Sequence, residues 1–212
     1  MGSVNLDIEI TRAKNDLTNK DPKVFFREYF LYSPNWYFSS ELGLSEGDQR
    51  KRLGELKTLI SDATSVSFNN IQIVGSSSLG FSLAPDKKFK LFDEKSDFDI
   101  AIISSPLFSE MWRLFRKADE MTRPDVYKHI QKTVYGGYFS EQDILSIQTT
   151  RISWEKRFAQ VKKAIRNEFE IVHEVNFRLY RSWEDLEDYQ VQSIQALRLE
   201  RLKDGQGVQQ KH

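Results

Sequence analysis

The chain has 212 residues, with 31 Lys and Arg balanced by 31 Asp and Glu for a formal net charge of zero, and it contains no cysteine. That length suits a single domain with an extension and can bury a core without covalent staples, while the missing thiols exclude a disulfide framework and any thiolate metal site. Neutrality argues against a protein that coats nucleic acid non-specifically, but not against an enzyme that meets it through a local patch.

Met1–Asp7 has no basic stretch leading into an apolar run, so no targeting segment is read there. The longest apolar runs, such as Ile100–Ile103, are far too short to span a bilayer. A cytoplasmic protein with no membrane partner is the expectation, and the Gly2-Ser3 pair reads as a cloning scar.

The first part of the chain reads as helical and aromatic. Leu6–Leu17 carries apolar residues at helical spacing, and Asp21-Pro22 supplies an N-cap and a first-turn proline for a helix over 23–31. Ser33-Pro34-Asn35 breaks that helix before the cluster Trp36, Tyr37 and Phe38. Together with Tyr29, Phe30 and Tyr32, this cluster is expected to pack as core or interface, with base stacking as its functional alternative. Ser45 and Asp48 have capping-box spacing for a helix whose Leu53, Leu56, Leu59 and Ile60 share one face.

The pattern then changes. Ile71–Val74 reads as a short strand ending at Gly75, and Ser96–Ile103 as a second strand, with an exposed loop or hairpin over 84–90 between them. Helices are expected over 106–117, 123–134 and 152–167, with a turn over Tyr135–Tyr138. A third strand is read over Ile171–Tyr180. Ser182 and Asp185 then open a long helix to about Lys203, acidic in its first turns and basic in its last. Residues 1–66 are read as a helical extension, 67–204 as the core and 205–212 as a flexible tail. The class is α+β, a mixed sheet flanked by helices.

The segment that bears chemistry is Ile73-Val74-Gly75-Ser76-Ser77-Ser78-Leu79-Gly80, followed by Ser96-Asp97-Phe98-Asp99-Ile100. Two Asp at i and i+2 of a strand point to one side about 6–7 Å apart, where they repel each other. A divalent cation relieves that repulsion, and Mg²⁺ commonly takes one or two carboxylates plus substrate phosphates. Alternating Phe98, Ile100 and Ile102 would anchor the strand. A strand running into Gly-Ser lets backbone approach a ligand closely, with N–H groups and hydroxyls suited to a phosphate.

Gly75-Ser76, Leu79–Leu83 and Ser96–Asp99 together resemble the signature of the DNA polymerase β-like nucleotidyltransferase superfamily, over about thirty residues of the chain. The resemblance implies a nucleotidyltransferase-like core and transfer of a nucleoside monophosphate from an NTP to an RNA, protein or nucleotide hydroxyl. Asp97 and Asp99 would hold Mg²⁺ or Mn²⁺, and Gly75, Ser76 and Ser77 would hold the nucleotide. The family's third carboxylate falls on the strand from Ile171, where Glu174, Asn176 and Arg178 share a face. Glu174 is the candidate third ligand and base, and Asn176 is the alternative occupant of that position. The chain resembles the small bacterial members found in toxin–antitoxin and phage-defence settings more than it resembles processive polymerases, and the resemblance identifies no subfamily. Its alternative is a catalytically inactive form of the fold, acting as a nucleotide sensor or protein-interaction module.

Other clusters are read more plainly. Arg151, Lys156, Arg157, Lys162, Lys163 and Arg166 form a solvated helix face or a patch that guides RNA or triphosphate. Lys87, Lys88 and Lys90 carry the same two readings. His173 is expected in the core, His129 on a helix surface and His212 in the tail, so zinc is not expected. No Gly-x-Ser-x-Gly elbow surrounds Ser76–Ser78, and no His base is near, which discards a serine hydrolase.

Overall fold

The computed structural model describes residues 6–118 and 124–209. Residues 1–5, Arg123 as the expected start of a helix, and the end of the expected tail with His212 lie outside them. The secondary structure is mixed α and β, with a four-stranded mixed sheet flanked by helices. The chain forms two compact units, one of residues 50–73 and 97–186, the other of residues 1–49, 74–96 and 187–212.

The first of these holds the sheet. Its strands are β1 (Ile71–Val74, whose last residue belongs to the other unit), β2 (Phe98–Ile103), β3 (Tyr138–Ser140) and β4 (Val175–Tyr180), in the order β1-β2-β4-β3. β2 and β4 run parallel, paired from Phe98–Val175 to Ile103–Tyr180, and β3 is antiparallel to β4. β2 is buried almost throughout, as expected of a near-continuous apolar strand covered on both faces. β4 alternates over its first four residues, with Asn176 and Arg178 on the less buried side.

Helices α5 (Ser105–Lys117), α6 (Pro124–Tyr135), α7 (Glu141–Ser146) and α8 (Gln148–Phe169) flank this sheet. The Ser104 hydroxyl caps α5 by accepting the Leu107 N–H at 3.3 Å. α8 buries Thr150, Trp154, Phe158, Val161, Ile165 and Phe169, a 3–4 spacing that lays one stripe against the sheet. Trp154 stacks on Phe158 at 3.9 Å, and Phe158 meets Phe177 of β4 at 4.8 Å.

Three expectations need revision here. The third strand begins at Val175 rather than Ile171, and the second at Phe98 rather than Ser96. Asp97 and Glu174 therefore stand just ahead of their strands. Tyr138 opens the short strand β3 instead of closing a turn, because β4 supplies a partner that three residues cannot announce. α7 is stabilised by its capping box, Ser140 accepting from Asp143 N–H while the Asp143 carboxylate accepts from Ser140 N–H.

The other unit is built on α1 (Leu6–Asn19), α2 (Pro22–Phe26) and the one-turn α4 (Ser76–Leu79), with the greater part of α9 (Trp183–Gln209). Asp21 caps α2 through the N–H groups of Lys23 and Val24. Beyond Phe26 the expected α-helix continues as a π-helical turn over Arg27–Tyr32, and a second π-helical turn spans Tyr37–Glu41. The Arg198 guanidinium on α9 donates to the carbonyls of Thr18 and Lys20, occupying acceptors left open at the end of α1. The backbone of α9 is helical to Gln209, beyond the expected onset of the tail. No helix among the described residues is long and apolar enough to cross a membrane.

Glu141 is a buried acid of the sheet unit with three partners. At 6% exposure it accepts from Trp154 Nε1 at 2.8 Å and Phe177 N at 3.0 Å, and it pairs with Lys162 Nζ at 2.7 Å. Removing it strands two N–H donors and an ammonium. Glu141→Ala is expected to cost about 3 kcal/mol, read as a lower urea midpoint with little change in slope.

Candidate functional site

Gly75 follows β1 with φ 70° and ψ −156°, a region essentially reserved for glycine. The chain turns there into α4, which Gly80 (φ 83°) closes by donating its N–H to Ser76 O at 2.8 Å. The three serines are not equivalent. Ser77 is fully buried and its hydroxyl donates to Val74 O at 3.0 Å, tying the turn back to the end of β1. Ser78 is also buried, and Ser76 is half-buried. Of the three hydroxyls, that of Ser76 is the most accessible to a ligand.

The acidic residues lie in the sheet unit. Phe98 and Val175 are the first registered pair of the parallel strands, so Asp97 and Glu174 each precede it by one residue. The Glu174 carbonyl accepts the Phe98 N–H at 2.8 Å, which holds the two strand starts side by side. Both Asp97 and Glu174 are exposed. Asp99 is half-buried inside β2 and is registered with Asn176, and partners across a parallel ladder face the same way. Phe98 and Ile100, pointing the other way, are wholly buried and fix the strand.

These leading residues offer oxygen donors only: three carboxylates and the amide of Asn176. Such a set suits a hard divalent cation that takes one or two carboxylates and fills its remaining positions with water and phosphate oxygens. Among the described residues, no three His, Cys, Asp or Glu side chains are already gathered into a metal-binding group. The residues thus fit a metal recruited with a phosphate ligand better than a preformed all-protein cage.

His173 is buried as expected, and His129 is exposed, its Nε2 3.2 Å from Asp143 Oδ1. The basic face of α8 divides into two kinds of residue. Arg157 makes a two-pronged pair with Glu110 at 2.9 and 3.1 Å, and Lys162 serves Glu141. Arg151, Lys156, Lys163 and Arg166 are exposed. In the loop, Lys90 pairs with Asp93 at 2.8 Å and Lys88 with Glu200 at 3.9 Å.

The aromatic cluster also divides. Phe30, Tyr37 and Phe38 are core, whereas Trp36 is half-buried and Tyr32 is 75% exposed. Tyr32 and Trp36 line a cleft of about 640 Å³ inside the unit of residues 1–49, 74–96 and 187–212. Residues not singled out by sequence also line it, among them Ser39, Ser40 and Gln49. Ser39 and Ser40 come from a π-helical turn that no motif announces, and Gln49 from the start of α3 (Glu46–Thr64), where the Ser45 and Asp48 spacing marks a helix but not a cleft.

A polar network supports this cleft. The Tyr29 hydroxyl donates to Asp16 Oδ2 at 3.0 Å, and Lys20, which also pairs with Glu28, lies 3.0 Å from the same oxygen. Burial pushes the Tyr29 phenol well above its ordinary range, and the neighbouring Asp16 carboxylate adds to the effect. Burial also acts to raise Asp16, but the hydrogen bonds from Lys20 and Tyr29 outweigh it and hold the carboxyl below its usual value.

No family model matches the chain, and neither a curated protein nor a solved structure matches it.

Two outcomes follow from this geometry. Gly75→Ala forces a side chain into the glycine-only region and is expected to cost about 1–3 kcal/mol in urea unfolding. Asp16 titrates lower in the folded chain than in the unfolded one, so its bonds stabilise the fold above the unfolded value of 3.8 and lose that contribution as pH falls through the depressed one. Asp16→Asn is therefore expected to be less stable than wild type at neutral pH. In thermal unfolding the difference should narrow steadily as the pH is lowered below about 4.

Proposed function

We propose that this chain is a divalent-metal-dependent nucleotidyltransferase, moving a nucleoside monophosphate from an NTP to an RNA, protein or nucleotide hydroxyl. The observation that carries the reading is the leading edge of β2 and β4. There Asp97 and Glu174 stand one residue ahead of two registered parallel strands, and Asp99 is the second residue of β2. The glycine-only turn at Gly75, running into Ser76 directly after β1, supports it.

In this reading Asp97 and Asp99 hold Mg²⁺ or Mn²⁺, which would neutralise phosphate charge and favour the ionised form of the acceptor hydroxyl. Gly75 permits close backbone approach to the phosphates, and the Ser76 hydroxyl hydrogen-bonds one of their oxygens. Glu174 accepts the proton of the attacking hydroxyl. The acceptor oxygen bonds to the α-phosphorus as the bond to the β-phosphate bridging oxygen breaks, and pyrophosphate leaves. Phe98 and Ile100 keep the acid-bearing strand from yielding to charge repulsion.

One observation favours a second reading, a catalytically inactive form that senses a nucleotide. The residue registered with Asp99 is Asn176, whose amide cannot take up a proton. Calorimetry with NTP and Mg²⁺ beside a pyrophosphate-release assay separates the two, since a sensor binds without turnover.

The decisive experiment offers each of four α-labelled NTPs with Mg²⁺, total RNA and lysate protein. Label transfer is expected for wild type. In Asp97→Ala and Asp99→Ala it should fall about a hundred-fold or more, and chelation should abolish it until Mg²⁺ is restored. No transfer together with no NTP binding would remove both nucleotide readings.

A further inference from the structure

The cleft among the N-terminal helices has the size of a small-molecule site, about 640 Å³. Its construction is unusual. The chain leaves α2 through a π-helical turn ending at Tyr32, breaks at Ser33-Pro34-Asn35, and re-forms as a second π-helical turn from Tyr37. Single π-turns are rare and tend to occur at functional sites. Here both turns contribute walls to the same cavity, Tyr29 and Tyr32 from one and Ser39 and Ser40 from the other.

Two rings in this cleft differ from the core aromatics around them. Tyr32 is 75% exposed, next to Phe30 at 3% and Tyr29 at 9%. Trp36 is held firmly: a Cβ at Gly80 would fall 2.6 Å from Trp36 Nε1, and Phe92 lies 5.4 Å away on centroids. The glycine thus makes room for the indole, which is fixed before any ligand arrives, and such preorganisation lowers the cost of binding.

Charge narrows the class of ligand. The ionisable lining consists of Glu9, Glu28 and Glu46 against Arg12 and Lys20, and Lys20 is already held by Asp16 and Glu28. There is no surplus of positive charge to hold phosphates. What the cleft offers is flat aromatic surface edged by the Ser39 and Ser40 hydroxyls. Ser39 Oγ donates to Trp36 O at 3.2 Å and lies 3.3 Å from Ser40 Oγ, and each hydroxyl oxygen keeps a lone pair to accept a bond from a ligand. A planar heteroaromatic ring with mixed donors and acceptors on its rim satisfies both. Ser78 and Leu79 of α4 form another part of the wall, so the cleft reaches the same single turn, about 6 Å long, that begins at Ser76.

We propose that this cleft is a nucleobase-binding subsite, in which Tyr32 and Trp36 provide the stacking faces and the base lies at one end of the turn that begins at Ser76. The assignment of the ring to a nucleotide rests on the nucleotidyltransferase reading; the need for a flat, uncharged, polar-edged ring rests on the cleft.

The test uses the full chain and phosphate-free, metal-free probes: adenosine, guanosine, cytidine, uridine and, as a protein-like ring, N-acetyltryptophanamide. Binding is followed by saturation-transfer NMR. At least one nucleoside is expected to bind wild type. Tyr32→Ala, at an exposed position that leaves the core intact, should weaken it about ten-fold, while Tyr32→Phe, which keeps the ring, should stay within about two-fold. The proposal is overturned if no nucleoside binds, if Tyr32→Ala binds as wild type does, or if the tryptophan amide binds and the nucleosides do not. Labelled transfer separates this failure from that of the function. Transfer that requires Asp97 but keeps its KM in Tyr32→Ala removes the subsite and keeps the enzyme. Nucleoside binding lost in Tyr32→Ala, in a chain that transfers no label, keeps the subsite and removes the enzyme.

Discussion

The sheet depends on one carboxylate placed where a backbone group would otherwise be. β3 ends at Ser140, opposite Arg178, and the next residue of β4 on that edge is Phe177. Its N–H has no strand to meet, since the chain has turned into α7. The Glu141 side chain takes the place its own main chain would have held and accepts that N–H at 3.0 Å. A buried anion needs more than one partner, and α8 supplies the other two, an indole N–H from Trp154 and the Lys162 ammonium. One side chain thereby takes over the pairing where β3 ends and fixes α8 on the sheet.

That fixation bears on the candidate chemistry through β4. Phe177, whose amide Glu141 holds, also packs its ring on Phe158, and it follows Asn176, the partner of Asp99. β4 is therefore pinned close to its start, where Glu174 holds the Phe98 N–H. The Glu141 carboxylate and the buried Phe98 and Ile100 side chains thus hold the two strand starts in one register, and with them the backbone that carries Asp97, Asp99 and Glu174.

How much of this could be read from the residues depends on how local the cause is. Helix starts are local, and Asp21-Pro22, Ser45 with Asp48, and Ser182 with Asp185 all cap as their spacing implies. The polar–apolar alternation through Asp97-Phe98-Asp99-Ile100 is local too, although the strand starts two residues later than the expected Ser96, because pairing to β4 begins at Phe98. β3 is not local. Its three residues form a strand only because β4 lies beside them. The π-helical turns are the hardest case, since apolar periodicity assumes 3.6 residues per turn, and a change of winding shifts every later side chain without leaving a mark in composition. Tyr32 and Phe30 look alike in the sequence; only the winding decides which is core and which faces the cleft.

The zero net charge can now be resolved into pairs and remainders. Lys162 and Arg157, which look like members of a basic face, are committed to Glu141 and Glu110, so the cations of α8 that remain at the surface are fewer than its sequence implies. On the acidic side Asp97 and Glu174 are exposed at the strand starts. A polyphosphate approaching that edge meets charge of its own sign, and unit charges a few ångströms apart near a protein surface repel by several kcal/mol. The exposed Arg151, Lys156, Lys163 and Arg166 act through solvent and are screened over about 8–10 Å at physiological salt. A compact divalent cation between phosphate and carboxylate oxygens would relieve that repulsion, so the proposed reading has a phosphate ligand meet these acids together with its metal.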